Sequence, residues 1–279
     1  MRYGVTMFVT DRTMAPAAVA RAAEERGFES IYLPEHTHIP TSRRTPPPTG
    51  DAELADEYKR TLDPLVALTS AAGATERLLL GTGIMLVAQR DPIVTAKAIA
   101  TLDQLSGGRV VLGIGFGWNA DELEDHGVTM KERRAVARER MLAMRALWRD
   151  DVASFDGEYV HIPPSWSWPK PVQPNGPAVL IGGAAGPIMF AHVAEYAAGW
   201  IPIGGRGVRA ALPDLHRACE EIGRDPATLR IVPFGTVPEA GKLEYYESIG
   251  VTEVVLRLPS ADESVVLGIL DRYESLMAF

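Results

Sequence analysis

Short apolar runs and amphipathic stretches alternate along this chain with a regular beat. Eight runs rich in β-branched and aromatic residues read as strands: Tyr3–Val9, Phe28–Leu33, Leu78–Leu86, Val110–Ile114, Ala178–Ile181, Trp200–Ile203, Leu229–Phe234 and Glu253–Leu258. Between them apolar residues recur at three- and four-residue spacing. Ala137, Met141, Met144 and Trp148 form one such set, and Val266, Ile269, Tyr273 and Leu276 another; both predict helices with one buried face. Asp63-Pro64 and Asp91-Pro92 mark helix starts, each an acceptor side chain ahead of a proline that has no N–H to satisfy, while Gly27 and Gly107 mark stops. Eight strand–helix alternations over 279 residues match an α/β fold of the (β/α)8 TIM barrel class, whose sites lie at the C-terminal ends of the strands. No shift in composition divides the chain, so residues 1–279 are read as one domain.

Two connections exceed the usual two to six residues of such units. The first, Glu35–Pro64, follows the second strand and so lies at the mouth of the barrel, as a substrate lid or as irregular chain. The second, Ser154–Pro177, follows the fourth helix and starts from the opposite end; lid and irregular chain are equally open for it.

Composition narrows the partners. A formal charge of −8 and a pI near 5.3 argue against nucleic acid or an anionic membrane surface. No apolar run reaches the length of a membrane span, and "MRYGVTMFVTDRT" has no cleavage region of a signal peptide. A single cysteine, Cys219, allows neither a disulfide nor a thiolate metal site within the chain, and a cytoplasmic protein is expected.

The candidate chemistry sits at the predicted strand ends. His36 and His38 form a His-x-His just past the second strand, but the other histidines fall in helices or the second long connection, so no metal site is expected. Either histidine serves as a general acid or as a ring stacked on a ligand, or is a surface loop residue; Glu35 orients His36 or is solvated. "GIGFGW" (Gly113–Trp118) does not make a dinucleotide fingerprint, because Trp118 stands where the third glycine belongs. Taken with "GTGIM" (Gly81–Met85) and "IGGAAGP" (Ile181–Pro187), it leaves three successive strand tips stripped of side chains. That arrangement suits a flat ring lying against the barrel, with its phosphate on the backbone N–H groups that open the helix after Ile181. The lid cations Arg43, Arg44, Lys59 and Arg60 favour an anionic substrate or an acidic cofactor tail, or form a solvated patch. Trp118, Trp166, Trp168 and Trp200 line an apolar pocket or pack in the core.

"GFESIYLPEH", "DPLVALTSAAGATERLLLGTGIML" and "DPIVTAKAIATLDQLSGGRVVLGIGFGWNADELEDHGV" make the chain resemble the luciferase-like monooxygenase superfamily, in its F420-dependent oxidoreductase branch, over nearly its whole length. The resemblance implies hydride transfer between the deazaflavin coenzyme F420 and a small organic substrate, with a homodimer as the assembly. FMN-dependent monooxygenation and a flavin-binding barrel without catalysis are the alternatives. It implies that Glu35-His36 is an acidic–His pair beside the ring, with His36 as acid/base. It also implies that Thr82, Gly83 and Ile84 form a bulge behind the ring with a cis Gly83–Ile84 bond. Gly115, Gly117 and Trp118 of the neighbouring tip are expected to bind the cofactor as well, and Gly182, Gly183, Ala184 and Ala185 to hold its phosphate. Two departures accompany it: Trp118 replaces a glutamate of the F420-dependent sugar-phosphate dehydrogenases, and Phe116 replaces the arginine that bacterial luciferase offers to the flavin phosphate.

Overall fold

A computed structural model describes residues 1–42, 44–46, 50 and 53–277. In chain order the elements are β1 (Arg2–Thr6), α1 (Pro16–Glu25), β2 (Ser30–Leu33), α2 (Pro64–Ala72), β3 (Leu79–Leu86), α3 (Pro92–Ser106), β4 (Val110–Gly115), α4 (Ala120–Asp125) and α5 (Arg133–Arg149). There follow β5 (Ala153–Asp156), β6 (His161–Ser165), β7 (Ala178–Gly182), α6 (Pro187–Tyr196), β8 (Gly199–Ile201) and α7 (Val208–Glu220). The chain continues through β9 (Arg230–Ile231), β10 (Phe234–Thr236), α8 (Ala240–Ser248), β11 (Glu253–Arg257) and α9 (Glu263–Met277).

The parallel strands form one sheet in the order β10-β11-β1-β2-β3-β4-β7-β8-β9. Its two end members are consecutive in the chain. Only Val232 and Pro233 separate them, and these bond to both neighbours: the Val232 N–H donates to the Trp200 carbonyl, and the Pro233 carbonyl accepts from the Val255 N–H. The sheet therefore curls until its ends meet in one extended segment, with the helices outside. Proline has no N–H for the ladder, which is why the expected run Leu229–Phe234 is split there.

Two apolar layers result. Tyr32, Val111, Leu180, Ile201, Val232, Phe234 and Val255 fill the interior of the curl, and a larger core joins the sheet to the helices. At the N-terminal ends of the strands the interior is polar: the buried Glu253 carboxylate accepts from Ser30 Oγ at 2.6 Å, from Tyr32 OH at 3.1 Å and from Arg230 at 2.7 Å. The helix starts follow the sequence signals. Asp63 accepts from the Leu65 and Val66 N–H groups ahead of α2, and Asp91 accepts from Val94 N–H ahead of α3. Gly107 closes α3 in the left-handed region.

The connection 154–177 is not a lid. Its start folds as the antiparallel pair β5–β6, with Phe155 opposite Ile162, and Ala153, Val160 and Ile162 are buried. Alternating side chains around Gly157 give the pair one apolar face to set against α5. The following stretch is tied to the outside of the helices, with Lys170 Nζ donating to the Leu147 carbonyl at 2.8 Å. No helix among the described residues is long and apolar enough to cross a membrane.

Candidate active site

The end of β2 delivers two side chains in opposite directions, as successive residues of extended chain do. His36 turns toward α4, where its Nδ1 lies 2.8 Å from Glu122 Oε2, with both side chains buried. A carboxylate oxygen accepts, so Nδ1 is the ring nitrogen that donates to Glu122, and Nε2 is the one left for other contacts. Glu35 turns the other way: its Oε2 accepts from the Leu86 N–H at 2.7 Å and its Oε1 from Arg90 Nε at 2.6 Å. Arg90 continues to Asp63, so one chain of charges joins β2, the end of β3 and the start of α2. The companion of His36 is thus Glu122, and Glu35 is neither solvated nor beside the imidazole.

The third strand bulges at its end. Its register against β4 runs Thr82 with Leu112 and then Met85 with Ile114, one extra residue on β3, and the Gly83–Ile84 bond is cis as expected. Thr82 spends its hydroxyl on the Gly113 carbonyl at 2.9 Å. Gly83 faces the interior, where a Cβ would come 2.5 Å from the Phe234 ring. Ile84 is the residue pushed forward, and the bare tips of β4 and β7 make room for it: a Cβ on Gly115 would meet Ile84 Cγ2 at 2.6 Å, and one on Gly182 would meet Ile84 Cδ1 at 2.6 Å. The three tips therefore form a floor surfaced by one partly buried isoleucine rather than an open strip of backbone.

Beyond Gly182 the chain turns into α6. Gly183 has φ +148°, and a Cβ there would lie 2.4 Å from Met189 Cε, so glycine is required. Ala184 and Ala185 are exposed, and no side chain caps α6. Trp200 is buried in the core and braces this turn, its Nε1 donating to the Gly183 carbonyl at 2.9 Å. At the tip of β4, the Phe116 ring stands between His192 of α6 (5.1 Å between centroids) and the Arg134 guanidinium (5.8 Å). Burial, with Arg138 and Arg134 adding to it, holds the pKa of His192 below its ordinary value despite Glu195. Gly117 lies in the left-handed region against Leu123.

Above His36 stands a group of rings. Trp118 meets it edge-on at 5.7 Å, Tyr58 lies 5.4 Å away, and Phe8 packs on Tyr58 at 4.7 Å. Of the four tryptophans considered for an apolar pocket, only Trp118 stands here; Trp166 and Trp168 are 82% and 55% exposed on the outside of the helices. The loop after β2 is fastened to α4 residue by residue. His38 Nε2 lies 2.9 Å from Asp125, Thr37 Oγ1 2.8 Å from His126 Nε2, and Arg44 bonds Asp121 and Glu124. Burial and the neighbouring His38 hold the pKa of His126 below its ordinary value. Lys59 and Arg60 pair with Asp56, and Arg60 also with Asp11; Arg43 lies outside the described residues. Three buried polar groups at the ends of β3 and β4 have no partner among the described residues: the side-chain amides of Gln89 and Asn119, and Glu122 Oε1.

The curled parallel sheet with helices outside, and a buried histidine–carboxylate pair at its C-terminal mouth, is an α/β arrangement of the TIM-barrel class. The chain belongs to the luciferase-like monooxygenase family, which it matches over residues 12–238. It is 48% identical over 270 residues to an uncharacterised protein of Mycobacterium tuberculosis, covering 95% of each chain. It is 30% identical over 205 residues to the F420-dependent glucose-6-phosphate dehydrogenase of Intrasporangium calvum, covering 71% of this chain and 56% of that one. In fold it is similar to an F420-dependent secondary alcohol dehydrogenase in complex with an F420–acetone adduct, with a TM-score of 0.79, 16% identity, and coverage of 99% and 98%.

Proposed function

We propose that this protein transfers hydride between coenzyme F420 and a small organic substrate, with His36 as the group that exchanges the substrate proton. The observation that carries this reading is the buried His36–Glu122 pair beside the β3 bulge, in a chain related to F420-dependent enzymes. The residues fit a deazaflavin. Ile84 offers an apolar floor for a flat ring, and the orphaned amides of Gln89 and Asn119 offer partners to its polar edge. The turn from Gly182 to Ala185 leads into the uncapped start of α6 and would turn the N–H groups of Ala184 and Ala185 to the phosphate, while the Gly183 N–H donates to the Ile201 carbonyl. When bound, the deazaflavin supplies a ring carbon that accepts or returns a hydride and reacts sluggishly with dioxygen.

The chain's own part is proton chemistry and orientation. Glu122 fixes the tautomer of His36 and stabilises the charged ring when Nε2 takes the proton of a substrate hydroxyl; in the reverse direction Nε2 returns it. Glu35 and Arg90 hold the end of β3 and with it the floor. We place in the same reading a homodimer, supported by exposed Val66, Ile93 and Val94 on α2 and α3; a monomer in sedimentation at micromolar concentration overturns it.

FMN is the second reading, favoured by Arg134, which brings a guanidinium over Phe116 where the arginine of luciferase is missing. The test is retention of F420, FMN or FAD through gel filtration, read by absorbance, followed by turnover. F420 is expected to stay bound and FMN to bind at least about tenfold more weakly, roughly 1.4 kcal/mol. Equal or better retention of FMN overturns the F420 reading, and binding without turnover on any alcohol or ketone leaves a flavin carrier.

A further inference from the structure

We infer that the His36 side of the mouth takes an uncharged alcohol or carbonyl compound with an apolar body, and rejects phosphorylated and cationic substrates. The inference deepens the hydride-transfer reading and rests on it for the reacting group.

Two independent observations carry it. The first is the wall of rings. Phe8 follows β1, Tyr58 belongs to the loop after β2, and Trp118 follows β4, so three separate parts of the chain bring aromatic faces to one place. Tyr58 and Trp118 lie 6.2 Å apart at right angles, each within 6 Å of the His36 ring. All three rings are half-buried while His36 beneath them is buried. Half-buried rings over a buried imidazole offer apolar surface next to the group that exchanges the proton.

The second is charge. Among the described residues, the cations around this side of the mouth include Arg12, Arg44, Lys59, Arg60, Arg90 and Arg257, together with Arg140 of α5, which lies near enough to His126 to lower its pKa and donates to the Val87 and Ala88 carbonyls. The first six are paired with carboxylates: Arg12, Lys59 and Arg60 with Asp56, Arg60 also with Asp11, Arg257 with Glu57, Arg44 with Asp121 and Glu124, and Arg90 with Glu35 and Asp63. Seven cations, Arg140 included, thus face nine carboxylates: the seven named, the buried Glu122 and Asp125. A phosphate dianion would enter a field of its own sign and have to displace carboxylates from their partners. A cation gains little either, because the exposed carboxylates are already paired and the one oxygen without a partner, Glu122 Oε1, is buried beside His36. An uncharged molecule gains the ring contacts without either cost.

Cofactor-free protein tests this by saturation-transfer NMR with three probes: benzylacetone, glucose 6-phosphate and choline. Benzylacetone is expected to receive saturation on its aryl and alkyl protons, and the two charged probes to receive none. Trp118→Ala and Tyr58→Leu are expected to weaken benzylacetone binding about tenfold, the worth of one lost ring face. Trp166→Ala, on the outer surface, is expected to leave it unchanged. Circular dichroism melts confirm that each variant is folded, and Tyr58, on a short surface turn, serves if Trp118→Ala does not fold. Stronger binding of glucose 6-phosphate or choline, or benzylacetone binding indifferent to both wall variants, overturns the inference. Because no cofactor is present, a protein that binds benzylacetone on the wall yet fails to retain F420 refutes the hydride-transfer reading and leaves the wall standing.

Discussion

His36 and Glu35 are neighbours in sequence with different tasks, and substitution separates them. His36→Ala is expected to lower turnover roughly 10²–10⁴-fold with a smaller change in cofactor affinity, since it removes a proton-transfer group and little binding surface. Glu122→Gln is expected to lower turnover at least about tenfold with near-normal affinity, because an amide holds the imidazole less strictly in one tautomer and does not stabilise its charge. Glu35→Ala is expected to act on stability instead, by about 3–5 kcal/mol, because it leaves the Arg90 guanidinium half-buried with one partner fewer. Steady-state kinetics beside denaturant titration reads the split; a Glu35 variant of normal stability with lost turnover would return that residue to the chemistry. The sequence shows His36 as a candidate because it follows a strand, but it does not show Glu122. That partner lies 86 residues away, on a helix short enough to read as part of a loop, and the alternation of side chains in extended chain sends the adjacent acid elsewhere.

Among the elements, β3 and its neighbours form one packed unit. Gly182→Ala would press a Cβ onto Ile84 Cδ1, so it is expected to weaken cofactor binding and to cost about 1–3 kcal/mol of stability. Ile84→Val lacks that methyl, and the double variant is expected to recover much of both losses; additive losses in a double-mutant cycle defeat the contact. The start of α2 responds to acid. Burial raises the pKa of Asp63, but the Val66 N–H, the Arg90 guanidinium and the Leu65 N–H outweigh it and hold the pKa below its ordinary value. Its contribution is therefore present above the unfolded value near 4 and is lost as pH falls through the lower folded value. Asp63→Asn is expected to cost about 1 kcal/mol at neutral pH and to flatten the fall in melting temperature between about pH 5 and pH 2; parallel curves for both proteins defeat the assignment. The strands were legible because burial on both faces selects β-branched runs, as in Val110–Ile114, and the Asp-Pro starts because capping is local. The β5–β6 pair was not, since its alternation is short and interrupted by Gly157 and two prolines. The filling of the glycine tips by Ile84 was not either, because nothing local in sequence says which side chain occupies the space a glycine leaves.

At the scale of the whole molecule, stabilising charges close both ends of the sheet, and the reacting pair sits at the mouth. Glu253 and its partners close the N-terminal ends in buried surroundings, while the mouth is ringed by exposed pairs. Helix α4 ties the two kinds of task together, because Glu122 holds His36 while Asp121, Glu124 and Asp125 hold the loop after β2. Dissolved salt reaches those exposed pairs and hardly reaches the buried one, its screening length shrinking from about 10 Å at 0.1 M to about 3 Å at 1 M. Ionic strength thereby becomes a control on the rate: turnover is expected to fall about two- to tenfold from low to high salt as the loop loosens over the imidazole, each exposed pair being worth roughly 0–1 kcal/mol. An uncharged substrate has no steering to lose, so Arg44→Ala is expected to start near the high-salt rate and to change little, and an equal slope in both proteins would show that the fastening of the loop has no hold on the chemistry.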